Sequence, residues 1–232
     1  MKNILLIGGS KGIGLSLATT LSKTNNVYVA ARSQGDLAGL NVTYIPFDAS
    51  ADTLDVCTLP AVLDGFVFCP GSINLRPFRG LKPEVFEQDL QINFIQMVKV
   101  LQTVLPNLSQ SAQSSVVLFS SVAATMGMPF HTSVAAAKGA IEGFAKALAA
   151  EYAPKMRVNV IAPSLTDTPL ADKFLNNDVK REKSAERHPL KRFGTADDIA
   201  SMAAFLLSEQ SSWMSGQVLH VDGGMSSLLT NA

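Results

Sequence analysis

Residues 3–14 read NILLIGGSKGIG, an apolar run that leads directly into a glycine-rich turn. An apolar run of this length predicts a buried strand, and the residues after the glycines predict the start of a helix. Gly8 permits a tight turn, Gly12 lets the backbone come close to a ligand, and Gly14 lets the helix pack closely on the strand. Because a helix N-terminus offers free N–H groups and a partial positive charge, the stretch predicts a pyrophosphate-binding loop formed by Gly8, Ser10, Lys11, Gly12, Ile13 and Gly14.

Short apolar runs alternate with helical patterns along the rest of the chain. Runs rich in Val, Ile, Leu and Phe predict strands covered on both faces, at Asn3–Gly8, Val27–Ala31, Val42–Pro46, Gly65–Cys69, Ser115–Ser121, Arg157–Ala162 and Gln217–Val221. The patterns between them predict helices at Gly12–Lys23, Pro83–Leu108, Val134–Tyr152 and Ala196–Leu207. This alternation predicts an α/β protein in which residues 1–232 form a single Rossmann domain, with a doubly wound parallel sheet of about seven strands and helices on both faces.

Residues 165–190 lie between a predicted strand and the last long predicted helix, and they include the charged run DVKREKSAERH. Such a run of alternating charges is typical of a solvated helix face. A long insertion after the carboxyl end of a strand is also typical of a lid that closes over a ligand. The sequence leaves both interpretations open, and the segment is a candidate substrate lid.

Composition excludes several classes of function. The chain has 19 Lys and Arg against 19 Asp and Glu, so no excess of positive charge favours nucleic-acid binding. No apolar run approaches the ~18 residues of a membrane span, and the apolar run before the first glycines is too short for a signal peptide. Cys57 and Cys69 match neither a disulfide framework nor a metal-ligand spacing. We therefore expect a cytoplasmic protein with no metal site and no nucleic-acid or membrane partner.

The end of the second predicted strand bears on the choice of cofactor. An NAD(H) site places a carboxylate there to hold the ribose hydroxyls. The sequence instead reads VAARS, with Arg32 and Ser33, and Lys11 in the glycine turn adds a second cation. A planar guanidinium and a point charge suit an additional phosphate, which a carboxylate would repel. The pattern favours NADP(H) over NAD(H), although Lys11 and Arg32 are also compatible with ordinary exposed cations.

Taken in order, the motifs closely resemble those of the short-chain dehydrogenase/reductase family over nearly the whole chain. GGSKGIG stands where the family has TGxxxGxG, and the segments FDAS, QINF, VVLFSSVAA, AAAKGAIEGFAKALAAE and RVNVIAPSLTDT match later family motifs. The resemblance implies an oxidoreductase in which Lys138 holds the nicotinamide ribose and Ser121 polarises the substrate carbonyl. It also implies that Asp48 holds the adenine, Asn93 organises the site, and Gly71 and Thr168 contact the cofactor.

The departures from the family pattern are equally informative. The usual Thr of the glycine motif is Ile7, the usual NNAG is the FCPG of residues 68–71, and the PG step is Pro163–Ser164. In the family, a tyrosine four residues before the lysine protonates the substrate oxygen. Position 134, counted both back from Lys138 and forward from the serine motif, holds a valine.

A valine has no proton to give, so three hypotheses remain open. In the first, His131 supplies the proton, since imidazole titrates near neutral pH and enoyl reductases of this superfamily place their tyrosine at this spacing from the lysine. The alternative for His131 is an ordinary hydrogen bond in a loop. In the second hypothesis, Ser121 and a water held by Lys138 support the reduction. In the third, the protein binds NADP(H) without chemistry, as a sensor or scaffold.

The substrate is less defined by the sequence than the cofactor. Aromatic and thioether side chains predict an apolar, adaptable pocket for a small carbonyl, alcohol or enoyl compound, and the candidate walls are Pro70, Phe78, Met126, Met128 and Phe130, together with the candidate lid. Each of these residues is also compatible with core packing. Cys69 ends the fourth predicted strand and is expected to be buried there without a role, the alternative being that it faces the pocket beside Pro70.

The helix after Val134 is rich in alanine and glycine. Small side chains permit close approach between helices, and the family resemblance implies that the long central helices and the last strand form subunit interfaces. The sequence therefore predicts a homodimer or homotetramer with closed symmetry. The alternative is that the small residues only pack this helix onto its own sheet.

Overall fold

A computed structural model describes residues 1–230 and confirms the single-domain Rossmann fold. Seven parallel strands form the main sheet: β1 (Asn3–Ile7), β2 (Asn26–Ala31), β3 (Thr43–Pro46), β4 (Gly65–Phe68), β5 (Ser114–Phe119), β6 (Met156–Pro163) and β9 (Val218–Val221). Their order is β3-β2-β1-β4-β5-β6-β9. The order reverses direction between β1 and β4, which is where such sheets bind ligands. Two short strands, β7 (Thr166–Asp167) and β8 (Gly194–Thr195), pair separately.

Seven α-helices accompany these strands in residues 1–230: α1 (Gly12–Leu21), α2 (Pro83–Leu90), α3 (Gln96–Ser109), α4 (Thr132–Tyr152), α5 (Asp172–Leu175), α6 (Asp178–Glu186) and α7 (Ala196–Leu207). The sheet separates two buried apolar clusters. One contains side chains of α3 and α4, and the other contains side chains of α1 and α7. The helices therefore cover both faces, as the continuous apolar runs predicted.

The structure refines two predicted elements and adds a pair of short strands. The helix predicted at Pro83–Leu108 is interrupted by a π-helical turn at Gln91–Ile95, a rare form that is frequent at functional sites. Strand β5 ends at Phe119, so Ser121 lies outside the sheet. The β7–β8 pair was not predicted, because strands of two residues are too short for side-chain alternation to be recognised.

Among the helices of residues 1–230, none combines the length and apolar character needed to cross a membrane. The same residues contain no cluster of three potential metal-ligating side chains.

Candidate active site

A cavity of about 650 Å³ lies beyond the carboxyl ends of the central strands. Ile13 reaches it from the turn after β1, Gly71 from the turn after β4, and Ser121 from the turn after β5. On its other side, residues from the 165–190 segment complete the lining. The volume lies within the range of small-molecule sites, and the position is the one expected for the ligand crevice of a doubly wound sheet.

The glycine turn after β1 has the geometry of an anion-binding loop. Gly8 and Gly12 have φ angles of 79° and 53°, in the left-handed region that favours glycine. Helix α1 has no hydrogen bond from the Lys11 side chain to its N-terminus and no acidic residue in its first turn. The N–H groups of that turn are therefore available to a ligand phosphate. A Cβ atom at Gly12 would lie 3.3 Å from Thr168, so the loop contacts a second predicted cofactor residue.

Two further glycines keep the turn compact. A Cβ atom at Gly14 would lie 2.5 Å from the carbonyl oxygen of Gly8, so a side chain at this position would clash with the turn. Gly9 was not singled out from the sequence, yet its Cβ would lie 2.6 Å from Cγ1 of Val29 on the neighbouring strand. The two consecutive glycines in the sequence were the only signal that Gly9 matters. The reason that a side chain is excluded there is its contact with Val29, which only the tertiary structure shows.

The adenosine end of the predicted cofactor site lies beyond β2 and β3. Arg32 and Ser33 follow the last residue of β2 and are exposed, as is Lys11 in the glycine turn. Asp48 follows β3, and its Oδ1 accepts hydrogen bonds from Ser50 N at 2.9 Å and Ser50 Oγ at 2.6 Å. These bonds, with the nearby Arg32 charge, hold the pKa of Asp48 below its usual value. The carboxylate is therefore ionised and oriented, and its Oδ2 atom is available to a ligand.

Ser121 and Lys138 line the cavity together. Ser121 begins a short 3₁₀ turn, and its Oγ accepts a 3.2 Å hydrogen bond from the backbone N–H of Ala123. Lys138 is 9% exposed, and its Nζ donates to the carbonyl oxygen of Phe119 at 2.9 Å. Burial lowers the pKa of Lys138 to about 8, against smaller opposing effects of Asp89 and Cys69. A lysine with this pKa can give up its proton near neutral pH.

Asn93 lies in the π-helical turn and is hydrogen-bonded to Ser72, which lines the cavity. Its Nδ2 donates to Ser72 Oγ and to the Asp89 carbonyl, both at 2.8 Å, and its Oδ1 accepts from Ser72 N at 3.2 Å. A Cβ atom at Gly71 would lie 3.1 Å from Asn93 Oδ1 and 3.5 Å from Lys138 Nζ. The predicted residues Gly71, Asn93 and Lys138 therefore form one contiguous group.

Asp89 was not predicted from the sequence, and it is fully buried in this group. Its Oδ1 accepts from Ser72 Oγ at 2.6 Å and from Asn74 Nδ2 at 2.7 Å. Its Oδ2 has no hydrogen-bond partner within residues 1–230. The available signal was a carboxylate one helical turn before Asn93, but nothing in the sequence distinguished it from an exposed acid.

His131 also lines the cavity, at the N-terminus of α4. Its Nδ1 lies 2.7 Å from the carbonyl oxygen of Pro129. Because a carbonyl only accepts, Nδ1 carries the proton, and Nε2 of the neutral ring has none to donate. His131 therefore makes the ordinary loop hydrogen bond that was one of its two predicted roles, and only the imidazolium form can act as an acid at Nε2.

A second histidine in the cavity lining was not predicted. His188 is 3% exposed, and its Nδ1 donates to the carbonyl oxygen of Ser184 at 2.7 Å. Its Nε2 is thus an acceptor, and Ser164 Oγ donates to it at 2.9 Å. Ser164 had been noted only as a departure from the PG motif. The pairing was not visible in the sequence because the two residues belong to different elements.

Comparison with known proteins agrees with this geometry. Residues 56–226 match the family model described as Enoyl-(Acyl carrier protein) reductase. The chain is 32% identical over 246 residues to the 3-oxoacyl-(acyl-carrier-protein) reductase FabG of Chlamydia muridarum, with 97% of each chain covered. The chain belongs to the short-chain dehydrogenase/reductase family. A short chain dehydrogenase family protein from Francisella tularensis shares 26% identity over 98% of this chain and 100% of its own, with a TM-score of 0.88. A gluconate 5-dehydrogenase from Burkholderia cenocepacia, solved with NADP and tartrate, shares the fold at 24% identity, covering 98% and 96% of the two chains with a TM-score of 0.87.

Within the short-chain dehydrogenase/reductase family, the notable feature of this site is Val134. It is 4% exposed, lies one helical turn before Lys138 on α4, and lines the same cavity. An isopropyl group thus occupies a place where the sequence resemblance expected a phenol. The nearest polar groups on α4 that line the cavity are Lys138 and His131.

The predicted apolar walls were largely wrong for this short-chain dehydrogenase/reductase, since only Met128 of the five lines the cavity. Phe78 and Phe130 are 69% and 53% exposed, because Phe78 stacks on Phe86 at the surface and Phe130 occupies a left-handed turn position. Pro70 packs against Gly8, and Met126 closes the turn after β5. The other apolar lining residues are Leu170 and Phe174 of the candidate lid, which had been predicted as part of the wall, and Ile73, Leu75, Phe119 and Met225, which had not. Burial raises the pKa of the Cys69 thiol, which also lines the cavity, to about 12, so this thiol is uncharged at neutral pH.

Proposed function

We propose that this short-chain dehydrogenase/reductase is an NADP(H)-dependent oxidoreductase that acts on a small apolar carbonyl, alcohol or enoyl substrate. The observation that carries the proposal is that Ser121 and Lys138 line one cavity beyond the sheet, which the glycine turn reaches through Ile13. These residues come from three different elements, and together they supply a phosphate-binding loop, a hydroxyl and a buried cation. The experiment that tests the proposal is a titration with NADPH, followed by measurement of the reduction rates of a panel of ketones and enoyl compounds.

The residues present fit a dinucleotide. The free N–H groups at the start of α1, with Gly8 and Gly12, are suited to hold the pyrophosphate. In this proposal the Asp48 carboxylate accepts a hydrogen bond from the adenine amino group, and Thr168, which lies next to Gly12, contacts the nicotinamide end. Arg32 and Lys11, with Ser33, favour a phosphate on the adenosine ribose. The NADP-bound gluconate 5-dehydrogenase, which has the same fold, is consistent with this choice.

The first prediction concerns the cation after β2. We expect Arg32→Ala to raise the Kd for NADPH by about 10- to 100-fold, because a bidentate guanidinium–phosphate contact is lost. The Kd for NADH should change by less than threefold, because NADH lacks that phosphate. Fluorescence titration of both dinucleotides measures the two values, with Arg79→Ala, an exposed arginine remote from the glycine turn, as the matched control. Equal affinity of the unaltered protein for NADPH and NADH would contradict the NADP(H) assignment.

The side chains of the cavity have distinct proposed roles. When bound, NADP(H) exchanges a hydride with the reacting carbon of the substrate. Ser121 Oγ is free to donate to the substrate oxygen, since its recorded hydrogen bond is one that it accepts. Lys138 holds the nicotinamide ribose, and Asn93, tied to Asp89 and Ser72, keeps the wall behind Lys138 in place.

Lys138 is the proposed source of the proton that the missing tyrosine would supply. Its ammonium group has three N–H bonds, of which the carbonyl of Phe119 engages one. Either of the others can reach the substrate oxygen directly or through a water, together with Ser121. His131 is the alternative donor, but its Nε2 carries a proton only when the ring is charged.

The second prediction separates these two donors. We expect His131→Phe to change kcat for ketone reduction by less than about twofold, since the Nδ1 proton of His131 is engaged by the Pro129 carbonyl oxygen. A phenyl ring preserves most of the volume that the imidazole gives to the cavity wall. Steady-state kinetics with the ketone and enoyl panel measure the change. A loss of tenfold or more, with NADPH affinity unchanged, would transfer the acid role from Lys138 to His131.

A catalytically silent NADP(H)-binding sensor or scaffold is the second candidate function, and Val134 is the observation that favours it. NADPH binding at micromolar concentration, without turnover of any compound in the panel, would support this alternative. The absence of binding at millimolar NADPH would remove both candidate functions.

We also propose that the segment 165–190 acts as a lid and that the protein works in the cytoplasm as a homodimer or homotetramer. The α4 surface supports self-association, since a Cβ atom built at Gly139 or Gly143 would meet nothing within 4 Å. Ala137 and Ala145 of the same helix are buried against the sheet. The small residues of α4 therefore pack inside the protein on one side of the helix. On the other side they leave a surface that a helix of a second subunit can approach closely.

A further inference from the structure

Basic side chains from one segment line the cavity opposite the sheet. Lys173 lies on α5, Lys180 and Lys183 lie on α6, and Arg187 follows directly after α6. No Asp or Glu within residues 1–230 is part of the lining, whereas the complete chain has equal numbers of acidic and basic residues. The cavity lining is therefore positively charged although the net charge of the whole chain is zero. A cleft lined by charges of one sign attracts ligands of the opposite sign.

Helix α6 separates its charges by face. Lys180, Lys183 and Arg187 recur at spacings of three and four residues, which place them on one side of the helix, and all three line the cavity. The acidic residues of the same helix do not line it, and they are Asp178, Glu182 and Glu186. Both sets of residues are exposed, as the solvated-face interpretation of this charged run expected, and the basic ones also line the cavity.

These cations have no carboxylate to neutralise them within residues 1–230. The side chains of Lys183 and Arg187 are exposed and take part in none of the ion pairs formed within those residues. Lys173 Nζ donates only to the carbonyl oxygen of Ile73 at 2.8 Å, which leaves its charge uncompensated. Arg181, which lies on α6 but does not line the cavity, instead pairs with Asp167 at 2.6 Å. The unpaired cations of α6 are thus those that face the cavity.

We infer that the substrate of this site is an apolar carbonyl compound that also carries a carboxylate or phosphate group, which Lys183 and Arg187 bind. The inference rests on the proposed function for the reacting end of the substrate, near Ser121 and Lys138. Between the two ends, the lining is mainly apolar and suits a hydrocarbon body. A cofactor phosphate is the other source of such an anion, but only Ile13 of the glycine turn lines this cavity.

Binding of a matched pair of probes tests the inference without requiring turnover. Decanoate and decan-1-ol share a hydrocarbon chain and differ in charge, and calorimetry gives their Kd values with and without saturating NADPH. We expect the unaltered protein to prefer decanoate by about 10-fold at low salt, a preference that added salt reduces. The double variant Lys183→Gln/Arg187→Gln should lose most of that preference while its affinity for decan-1-ol stays within twofold.

The matched control is Lys23→Gln/Lys155→Gln. Both lysines are exposed, and they precede β2 and β6 at the amino ends of the strands, whereas the cavity lies beyond the carboxyl ends. This control should retain the preference for decanoate. Equal affinity of the unaltered protein for both probes, or an unchanged preference in the double variant, would overturn the inference. A rise in the Kd for NADPH in that variant, with decanoate binding unaffected, would assign the anion to the cofactor and also overturn it. A failure of NADPH binding alone would contradict the proposed function, since probe binding to the free protein is measured separately.

Discussion

Replacing Val134 with tyrosine should raise kcat for carbonyl reduction by about 10²- to 10⁴-fold, the range typical of a positioned general acid. Val134 lines the cavity one turn before Lys138, so a longer side chain has cavity space in front of it. The Lys138 ammonium would lie close to the new phenol and lower its pKa. Steady-state kinetics on the compound that the unaltered protein reduces best measure the gain.

Val134→Phe is the control for this variant, because it adds the same ring without the hydroxyl. We expect the phenylalanine variant to show no gain, so that an increase confined to the tyrosine variant reports proton donation and not packing. Equal rates in both variants, with NADPH affinity and thermal stability retained, would mean that the remaining site is not arranged for hydride chemistry. That result would favour the silent sensor or scaffold.

Replacing Lys138 with methionine should lower kcat by at least about 10²-fold at pH 7, because the site loses its proposed acid and its contact with the ribose. The same change should stabilise the unliganded protein. The pKa of Lys138 is about 8 in the folded state and 10.5 when exposed, so holding the charge at pH 7 costs the folded state about 3 kcal/mol. Loss of the hydrogen bond to Phe119 offsets about 1–2 kcal/mol of the gain. We expect the free energy of unfolding to rise by about 1–2 kcal/mol, measured by urea denaturation without cofactor.

The pH dependence of the unaltered protein follows from the same group. Because the folded state releases the Lys138 proton at a lower pH than the unfolded chain, the free energy of unfolding contributed by this residue rises between about pH 8 and 10.5. Activity that uses the ammonium form should instead fall as pH rises through about 8. Lys146→Met, on the exposed side of the same helix, is the matched control and should change neither quantity. A pH–rate profile without a decline near pH 8 would contradict the assignment of Lys138 as the acid.

Several site residues were identified from the sequence because each stands at a fixed distance from an element that the sequence also predicts. Ser121 follows a continuous apolar strand, and Lys138 lies on a long helix after it, so the resemblance located both before any tertiary contact was known. The structure brings these two residues to one cavity with Gly71 and Thr168. The apolar walls failed as predictions, because a large side chain in a loop is equally compatible with a surface turn, as Phe130 shows.

The sequence by itself determined the alternation of the seven main strands with the long helices, the glycine turn and the absence of a phenol at position 134. These features depend on local properties, namely side-chain periodicity, left-handed φ angles at glycine and the identity of single residues. Only the tertiary structure decided which polar groups meet. Ser72 and Asp89 are 17 residues apart, and Ser164 and His188 are 24 apart, yet each pair is hydrogen-bonded. That the basic face of α6 lines the cavity is likewise decided by the tertiary structure. The charge pattern of the helix defines a face, but it does not specify what that face contacts.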